Sequence, residues 1–403
     1  MNAHTQDHAV IIGYARTPFA KAAIPGSGKP PGRFADVDPV DMLVPLINTL
    51  IDSSGIAPAK VTKLLTGCVH QEADQGLNIA RIAVMHPDCK LPNTVTGTSL
   101  DMFCASSLDA INMGAALSLF HKDSVYICSG VQTMSHVPMG GFNPHLNPQV
   151  HDGNAAAFMD MPATAENLAI KYKIQRQEQD EFSVRSHQRH AAAAKAGHFK
   201  NEIVPINGLD HDDGVRPDST VESLSKLRPV AKDAKEGGTV TAASASQITD
   251  GASAVMVTAE SYAKANNLPI LARIIAVGES GCAPEIMGIG PVEASKRAFE
   301  KSGLTLKDMD YIELNEAFAA QSIAVIKEWE AQGMEPDMEK INVNGGAIAI
   351  GHPLGATGAR LAGTLALELQ RNNKRYGMAT LCVGGGQGMA MIIENPAFEP
   401  SAE

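Results

Sequence analysis

Two widely separated segments of the chain share one hydrophobic rhythm. In the first, Ser54-Gly55-Ile56 precedes apolar Val61, Leu64 and Leu65, and the segment ends at Gly67-Cys68. In the second, Ser302-Gly303-Leu304 precedes Leu306, Met309, Ile312 and Leu314, and the segment ends at Asn315-Glu316. Gly55 to Gly67 and Gly303 to Asn315 are the same interval, 12 residues. Each predicts a helix closed by glycine, a short connection and a buried strand. The register continues: 49 residues beyond each glycine, Cys104 opens an apolar helix from Ala105 to Leu119, and His352 opens a small-residue helix from Pro353 to Leu369. A strand follows each, Val125 to Gly130 and Met378 to Gly384. The pattern predicts two copies of one α/β unit facing each other about a pseudo-twofold axis. Two domain-sized copies are too few for a solenoid.

Between the copies, residues 134–246 break the pattern with Pro/Gly-rich connections, a helical stretch from Ala163 to Ala196 and many bases. They read as an insertion. Thr249-Asp250-Gly251-Ala252-Ser253 then reads as a turn, and Ala254 to Val257 as a strand returning to the first copy. The division is therefore 1–133 with 247–270 as an N-terminal half, 134–246 as the insertion, and 271–403 as a C-terminal half. A chain of 403 residues is long enough for such subdivision.

Charge narrows the choice of ligand. The formal balance of -11 argues against general nucleic-acid binding, which needs a positive field. Against that background the insertion is cationic, with Arg185, His187, Arg189, His190, Lys195, Lys200, Arg216, Lys226 and Arg228. Each alone reads as part of a solvated helix face; as a group they could steer a phosphate-bearing ligand. The six cysteines form no C-x-x-C pair, so neither zinc nor a disulfide framework is expected. Polar residues lead directly into Ala9-Val10-Ile11-Ile12, with no cleavable leader and no run of membrane-spanning length expected, which points to a reducing cytoplasm.

Three residues stand out chemically. Cys104 at a helix start would feel unpaired N–H groups that favour thiolate, although on this segment alone a buried structural cysteine is equally good. His352 sits among glycines that imply close backbone approaches, at the position Cys104 holds in the other copy; a twofold axis would bring a nucleophile and its base together. Cys382 ends a strand before Val383-Gly384-Gly385-Gly386-Gln387-Gly388, where the Lys and Ser/Thr of a P-loop are missing. Its counterpart Cys128, inside an apolar strand, is expected to be inert.

In order along the chain, Phe103-Cys104-Ala105-Ser106-Ser107-Leu108, Thr164-Ala165-Glu166-Asn167, Asp250-Gly251-Ala252, Gly288-Ile289-Gly290-Pro291, Asn315-Glu316-Ala317-Phe318, Gly351-His352-Pro353 and Cys382-Val383-Gly384 resemble the thiolase family. The resemblance implies an α/β fold of two βαβαβαββ halves in five layers, α/β/α/β/α, with an inserted loop domain that binds coenzyme A. It implies Cys104 as the acyl-accepting nucleophile, His352 as its activating partner and Cys382 as acid/base. Asn315 would hold a water that forms one oxyanion hole with His352, and the N–H groups of Cys104 and Gly384 would form the other. Ser246 falls where the family contacts the pantetheine arm, with Met161 and Phe318 near it, and Arg228 is the candidate phosphate contact. No metal or permanent cofactor is implied, and coenzyme A is a substrate.

The match has departures. Asp101 stands where the family usually has Asn and is expected to raise the Cys104 pKa and slow acylation. Ser244 replaces a frequent Asn, and Val131 to Met134 replace a segment that usually carries Glu. The short loop from Met134 to Thr164 and the segment Gln75 to Arg81 resemble the degradative 3-ketoacyl-CoA thiolases more than the biosynthetic acetoacetyl-CoA enzymes. A ketoacyl synthase-like enzyme would lack a second catalytic cysteine at 382, and a non-catalytic acyl-CoA-binding protein would not need the three reactive groups. The implied assembly is a homodimer or homotetramer, with a hydratase-dehydrogenase as a candidate partner.

Overall fold

A computed structural model of the chain describes residues 7–24 and 26–400. Its strands are β1 (Ala9–Arg16), β2 (Ala20–Lys21), β3 (Val61–Gly67), β4 (Thr96–Leu100), β5 (Val125–Thr133), β6 (Thr249–Ala259), β7 (Ala272–Gly281), β8 (Tyr311–Leu314), β9 (Tyr376–Val383) and β10 (Gln387–Glu394). The helices are α1 (Pro39–Ser54), α2 (Ile79–Met85), α3 (Ser106–Phe120), α4 (Pro148–Gly153), α5 (Met161–Lys171), α6 (Arg176–Lys195), α7 (Val221–Ser225), α8 (Glu260–Ala265), α9 (Gly290–Ser302), α10 (Ala319–Ala331), α11 (Ala347–Ile350) and α12 (Thr357–Arg371).

Glycine closes both repeated helices. Gly55 after α1 and Gly303 after α9 take φ 70° and 72° with ψ 8° and 9°, the left-handed C-cap that a Cβ would strain. A short 3-10 turn then leads into β3 in one copy and β8 in the other. The strand order is β4-β3-β5-β6-β1-β7-β10-β9-β8, palindromic about the β1–β7 junction. The counterpart of β4 in the second copy has shrunk to a single parallel bridge between Ile312 and Ile341. The two half-sheets are continuous through only three register pairs, Ala9 to Ile11 against Ala272 to Ile274.

Side-chain alternation on these strands builds the layers. On one outer face, Val10, Ile12, Leu64, Ile127 and Met256 pack with α1 and α2. On the other, Ile312, Met378, Ala390 and Ile392 pack with α9 and α10. The inner faces of both half-sheets, Ile11, Leu65, Val255, Leu381, Met389 and Met391 among them, enclose α3 and α12. The five layers are therefore α/β/α/β/α, and each fully buried Leu or Ile contributes about 1.5–3 kcal/mol. The central pair approaches closely: a Cβ on Gly358 would lie 2.3 Å from the Leu108 nitrogen.

Several expectations need correction. Helix α12 starts at Thr357, five residues after His352, because Gly351 (φ 99°) and the following residues form a loop pressed against the first copy. The stretch from Ala163 to Ala196 is two helices, broken where Lys173 takes φ 53° and a Gln175/Glu178 capping box starts α6. Residues 249–253 are not a turn but the first half of β6, paired to β5, with Asp250 accepting the Ser135 N–H at 2.9 Å. One run does reach spanning length: Phe103–Phe120 has a mean hydropathy of 1.3 over 18 residues. It is the central-layer helix with its lead-in turn, apolar because sheets cover both its sides.

Candidate active site

Both copies place their reactive groups where strands end and central helices begin. Cys104 lies in a 3-10 turn, Phe103–Ala105, that leads into α3, and its side chain is buried. The backbone N–H groups of Gly384 and of Cys104 itself favour the thiolate. Burial nevertheless pushes the Cys104 thiol up to about 12, and Asp101 adds a smaller push in the same direction. Desolvation of the sulfur thus outweighs the helix-start donors.

Cys382 is the next-to-last residue of β9 and is fully buried; burial first, and then Cys104, raise its thiol well above the ordinary range. The turn after it comes close to Cys104 through the Gly384 N–H. A third thiol, Cys282, lies near Cys382, with its N–H donating to the Gly386 carbonyl at 2.7 Å. No motif singled it out, and only the return of β7 beside β10 brings it there. Cys128, the matching cysteine of the first copy, is buried with its sulfur against Gly114.

Asn315 leaves the end of β8, parallel to β9, and its amide N–H donates to the Thr380 carbonyl at 2.9 Å, two residues before Cys382. Its Nδ2 is 3.3 Å from His352 Nε2, and its buried Oδ1 has no partner among the described residues. Thr357, which no motif had marked, settles the imidazole tautomer. Its hydroxyl donates to the Pro353 carbonyl at 2.9 Å, so it accepts from His352 Nδ1–H at 2.6 Å. That leaves Nε2 as an acceptor, and the Asn315 Nδ2–H donates to it at 3.3 Å. Burial, and then Arg360, hold His352 down at about 3, so the ring is neutral at physiological pH. The backbone is fixed as well: Thr249 Oγ1 accepts the His352 N–H at 3.2 Å, and a Cβ on Gly351 would stand 2.0 Å from that oxygen.

The binding candidates divide. The Ser246 N–H donates to the Ala317 carbonyl at 2.9 Å, and Ala245 bridges to Phe318. Phe318 and Met161 pack in the apolar cluster that contains Cys382. Arg228 is exposed beyond α7, and among the described residues it bonds to none of the other candidates. The cationic group is not one surface. His187 and His190 are buried, Arg189 is spent on the Ile341 carbonyl and Glu339, and Arg185 lies over the Phe182 ring. Lys195, Lys200, Arg216, Lys226 and Arg228 remain exposed.

A buried thiol at a helix start, a second thiol on the strand whose following turn packs against it, and a neutral imidazole on an amide suit acyl transfer through a thioester. The chain matches the family models described as thiolase, N-terminal domain, over residues 9–261 and thiolase, C-terminal domain, over 268–395. It is 40% identical over 398 residues to the 3-ketoacyl-CoA thiolase of Pseudoalteromonas translucida (strain TAC 125), covering 96% of this chain and 99% of that one. It is also 40% identical over 401 residues to the enzyme of the same name from Vibrio vulnificus (strain CMCP6), with 96% and 100% covered. Human mitochondrial 3-ketoacyl-CoA thiolase, solved in complex with CoA, superposes with a TM-score of 0.84 at 36% identity, covering 97% and 99%. The acetyl-CoA acetyltransferase of Bacillus anthracis superposes with the same TM-score at 34% identity, also covering 97% and 99%. Matched from end to end in sequence and in fold, the chain belongs to the thiolase family.

Proposed function

We propose that the protein is a 3-ketoacyl-CoA thiolase of fatty-acid or related acyl-CoA degradation, an acyltransferase that takes coenzyme A as substrate and carries no permanent cofactor. One observation carries the reading: the turn after Cys382 packs against the turn that holds Cys104, with a Cβ on Gly384 3.3 Å from Phe103 Cγ, and Asn315 Nδ2 stands 3.3 Å from His352 Nε2. The short segment between β5 and α5 and the 40% identity to named 3-ketoacyl-CoA thiolases favour the degradative direction. The shared TM-score with an acetyl-CoA acetyltransferase means that overall fold does not separate the two directions.

In this scheme the Cys104 sulfur attacks the 3-keto carbon of the substrate while its proton passes to His352 Nε2. The Cys104 and Gly384 N–H groups stabilise the alkoxide. The Cα–Cβ bond breaks, leaving the shortened acyl group on Cys104 and the enolate of acetyl-CoA. The new Nε2–H and a water on Asn315 Oδ1 hold the enolate oxygen, and Cys382 protonates its carbon. The Cys382 thiolate then takes the proton of incoming coenzyme A, whose sulfur removes the acyl group, and His352 returns its proton to Cys104. Two charge build-ups at different atoms require two donor sets.

Residues 134–246 form the coenzyme A-binding insertion, with Ser246, Met161 and Phe318 along the pantetheine arm and Arg228 offered to the phosphates. The protein works in the cytoplasm, in keeping with six free cysteines. It assembles as a homodimer or a tetramer of dimers. Supporting this, β4 is an edge strand, and Leu77, Ile82 and Met85 nearby in the chain are exposed, Leu77 at 88%. Sedimentation at working concentration is expected to give a multiple of the chain mass; a single-chain mass contradicts the assembly. For the activity, thiolysis of acetoacetyl-CoA and of longer 3-ketoacyl-CoAs is followed spectrophotometrically, and turnover is expected with at least one chain length. Binding without cleavage at every length would leave an acyl-CoA carrier as the reading.

A further inference from the structure

Phe103, beside the nucleophile, has a backbone that needs explaining. Its φ is +45°, in the left-handed region that residues with a Cβ rarely occupy. Two side chains hold it there. Asp101 Oδ1 accepts the Phe103 N–H at 2.7 Å, while Ser106 Oγ accepts the Met102 N–H at 2.9 Å and donates to the Phe103 carbonyl at 2.7 Å. The ring remains 39% exposed, so burial of the side chain does not account for the strained turn.

What the turn achieves is the placement of the ring over the opposite copy. A Cβ built on Gly384 would lie 3.3 Å from Phe103 Cγ, and one on Gly385 3.9 Å from Cε2. Gly385 and Gly386 take φ +76° and +87°, in a run of three glycines with wide backbone freedom. A donor in such a run keeps its aim only if something packs against it.

We propose that Phe103 is a positioning residue for acyl transfer: locked in the left-handed conformation by Asp101 and Ser106, its ring braces the Gly384–Gly385 turn and keeps the Gly384 N–H aimed at the acyl carbonyl on Cys104. The inference rests on the thiolase reading and deepens it. It also gives Asp101 a use beyond its charge, since the acceptor oxygen that holds the turn is one an asparagine would supply equally. The carboxylate's push on Cys104 is the smallest of the influences on that thiol.

The test acylates the enzyme with carbonyl-labelled acetyl-CoA, records the infrared band of the thioester, and measures thiolysis alongside. In Phe103→Ala, with circular dichroism unchanged, the band is expected to move to higher frequency as the hydrogen bond weakens, and kcat to fall about 10²-fold with KM little altered. Phe103→Tyr restores both. Asp101→Asn stays within about threefold of wild type because it keeps the acceptor, whereas Asp101→Ala follows Phe103→Ala. A wild-type band in Phe103→Ala with kcat within about twofold, or an unaffected Asp101→Ala, overturns the proposal. A wild-type enzyme that takes up no acyl group would instead remove the thiolase reading itself.

Discussion

Cys104→Ser loses thiolysis by at least about 10³-fold, and no acyl group appears on the protein after incubation with acetyl-CoA. The reason lies in the base as much as in the nucleophile. His352, held at about 3 by burial and Arg360, is too weak to activate a hydroxyl, whereas a polarisable thiol can pass its proton across while the carbon–sulfur bond forms. Cys382→Ser behaves differently. Acetyl-CoA still acylates Cys104, more slowly than in the wild type, because coenzyme A can depart as a thiolate without the proton that Cys382 would give it. Carbon–carbon cleavage falls by about 10²–10⁴-fold for want of an acid at the enolate. Intact-protein mass spectrometry separates the two variants. An unlabelled Cys104 in Cys382→Ser, or a Cys104→Ser enzyme within tenfold of wild type, would falsify the division of roles.

The largest effect on stability is expected away from the chemistry, at Arg16. This side chain is fully buried at the end of β1, with Nε 2.6 Å from Glu202 and its two terminal nitrogens 2.7 and 2.9 Å from Asp212, between the rings of Phe19 and Phe199. It ties the sheet to the segment that follows α6. Arg16→Met strands two carboxylates in the interior and should cost about 3–5 kcal/mol at neutral pH, read from the urea midpoint. The pH dependence has a definite sign. Burial alone would raise the Asp212 pKa, but Arg16 and His190 override it and hold the carboxyl far below its usual range. Stability from this group is therefore present above the unfolded value of about 3.9 and is lost as the pH falls below it. The gap between wild type and Arg16→Met should be widest near neutrality and narrow in acid. A gap under about 1 kcal/mol at neutral pH would show that the cluster contributes little.

The duplication could be read from the linear chain because its markers are local. Gly55 and Gly303 end helices through a backbone conformation that glycine adopts without a Cβ penalty, and equal spacing from each carries the register to Cys104 and His352. The five layers were expected only through the family resemblance. The basic residues of the insertion misled, since composition does not distinguish an Arg189 that caps carbonyls from a Lys200 in solvent. The single-helix reading of Ala163 to Ala196 failed at Lys173, whose left-handed turn carries no Gly or Pro signal.

Sequence alone determined the two-copy architecture and offered Cys104, His352 and Cys382 as candidates, since caps, periodicity and spacing act over a few residues. Tertiary structure decided the charge state and aim of those groups. Whether Cys104 rests as thiol or thiolate depends on how much water its neighbours exclude, and the His352 tautomer depends on which way the Thr357 hydroxyl already donates. The Gly384 turn meets the Phe103–Cys104 turn of the other copy only when the half-sheets close over α3 and α12. Desolvation and hydrogen-bond direction are properties of packed surroundings, which no stretch of the chain encodes by itself.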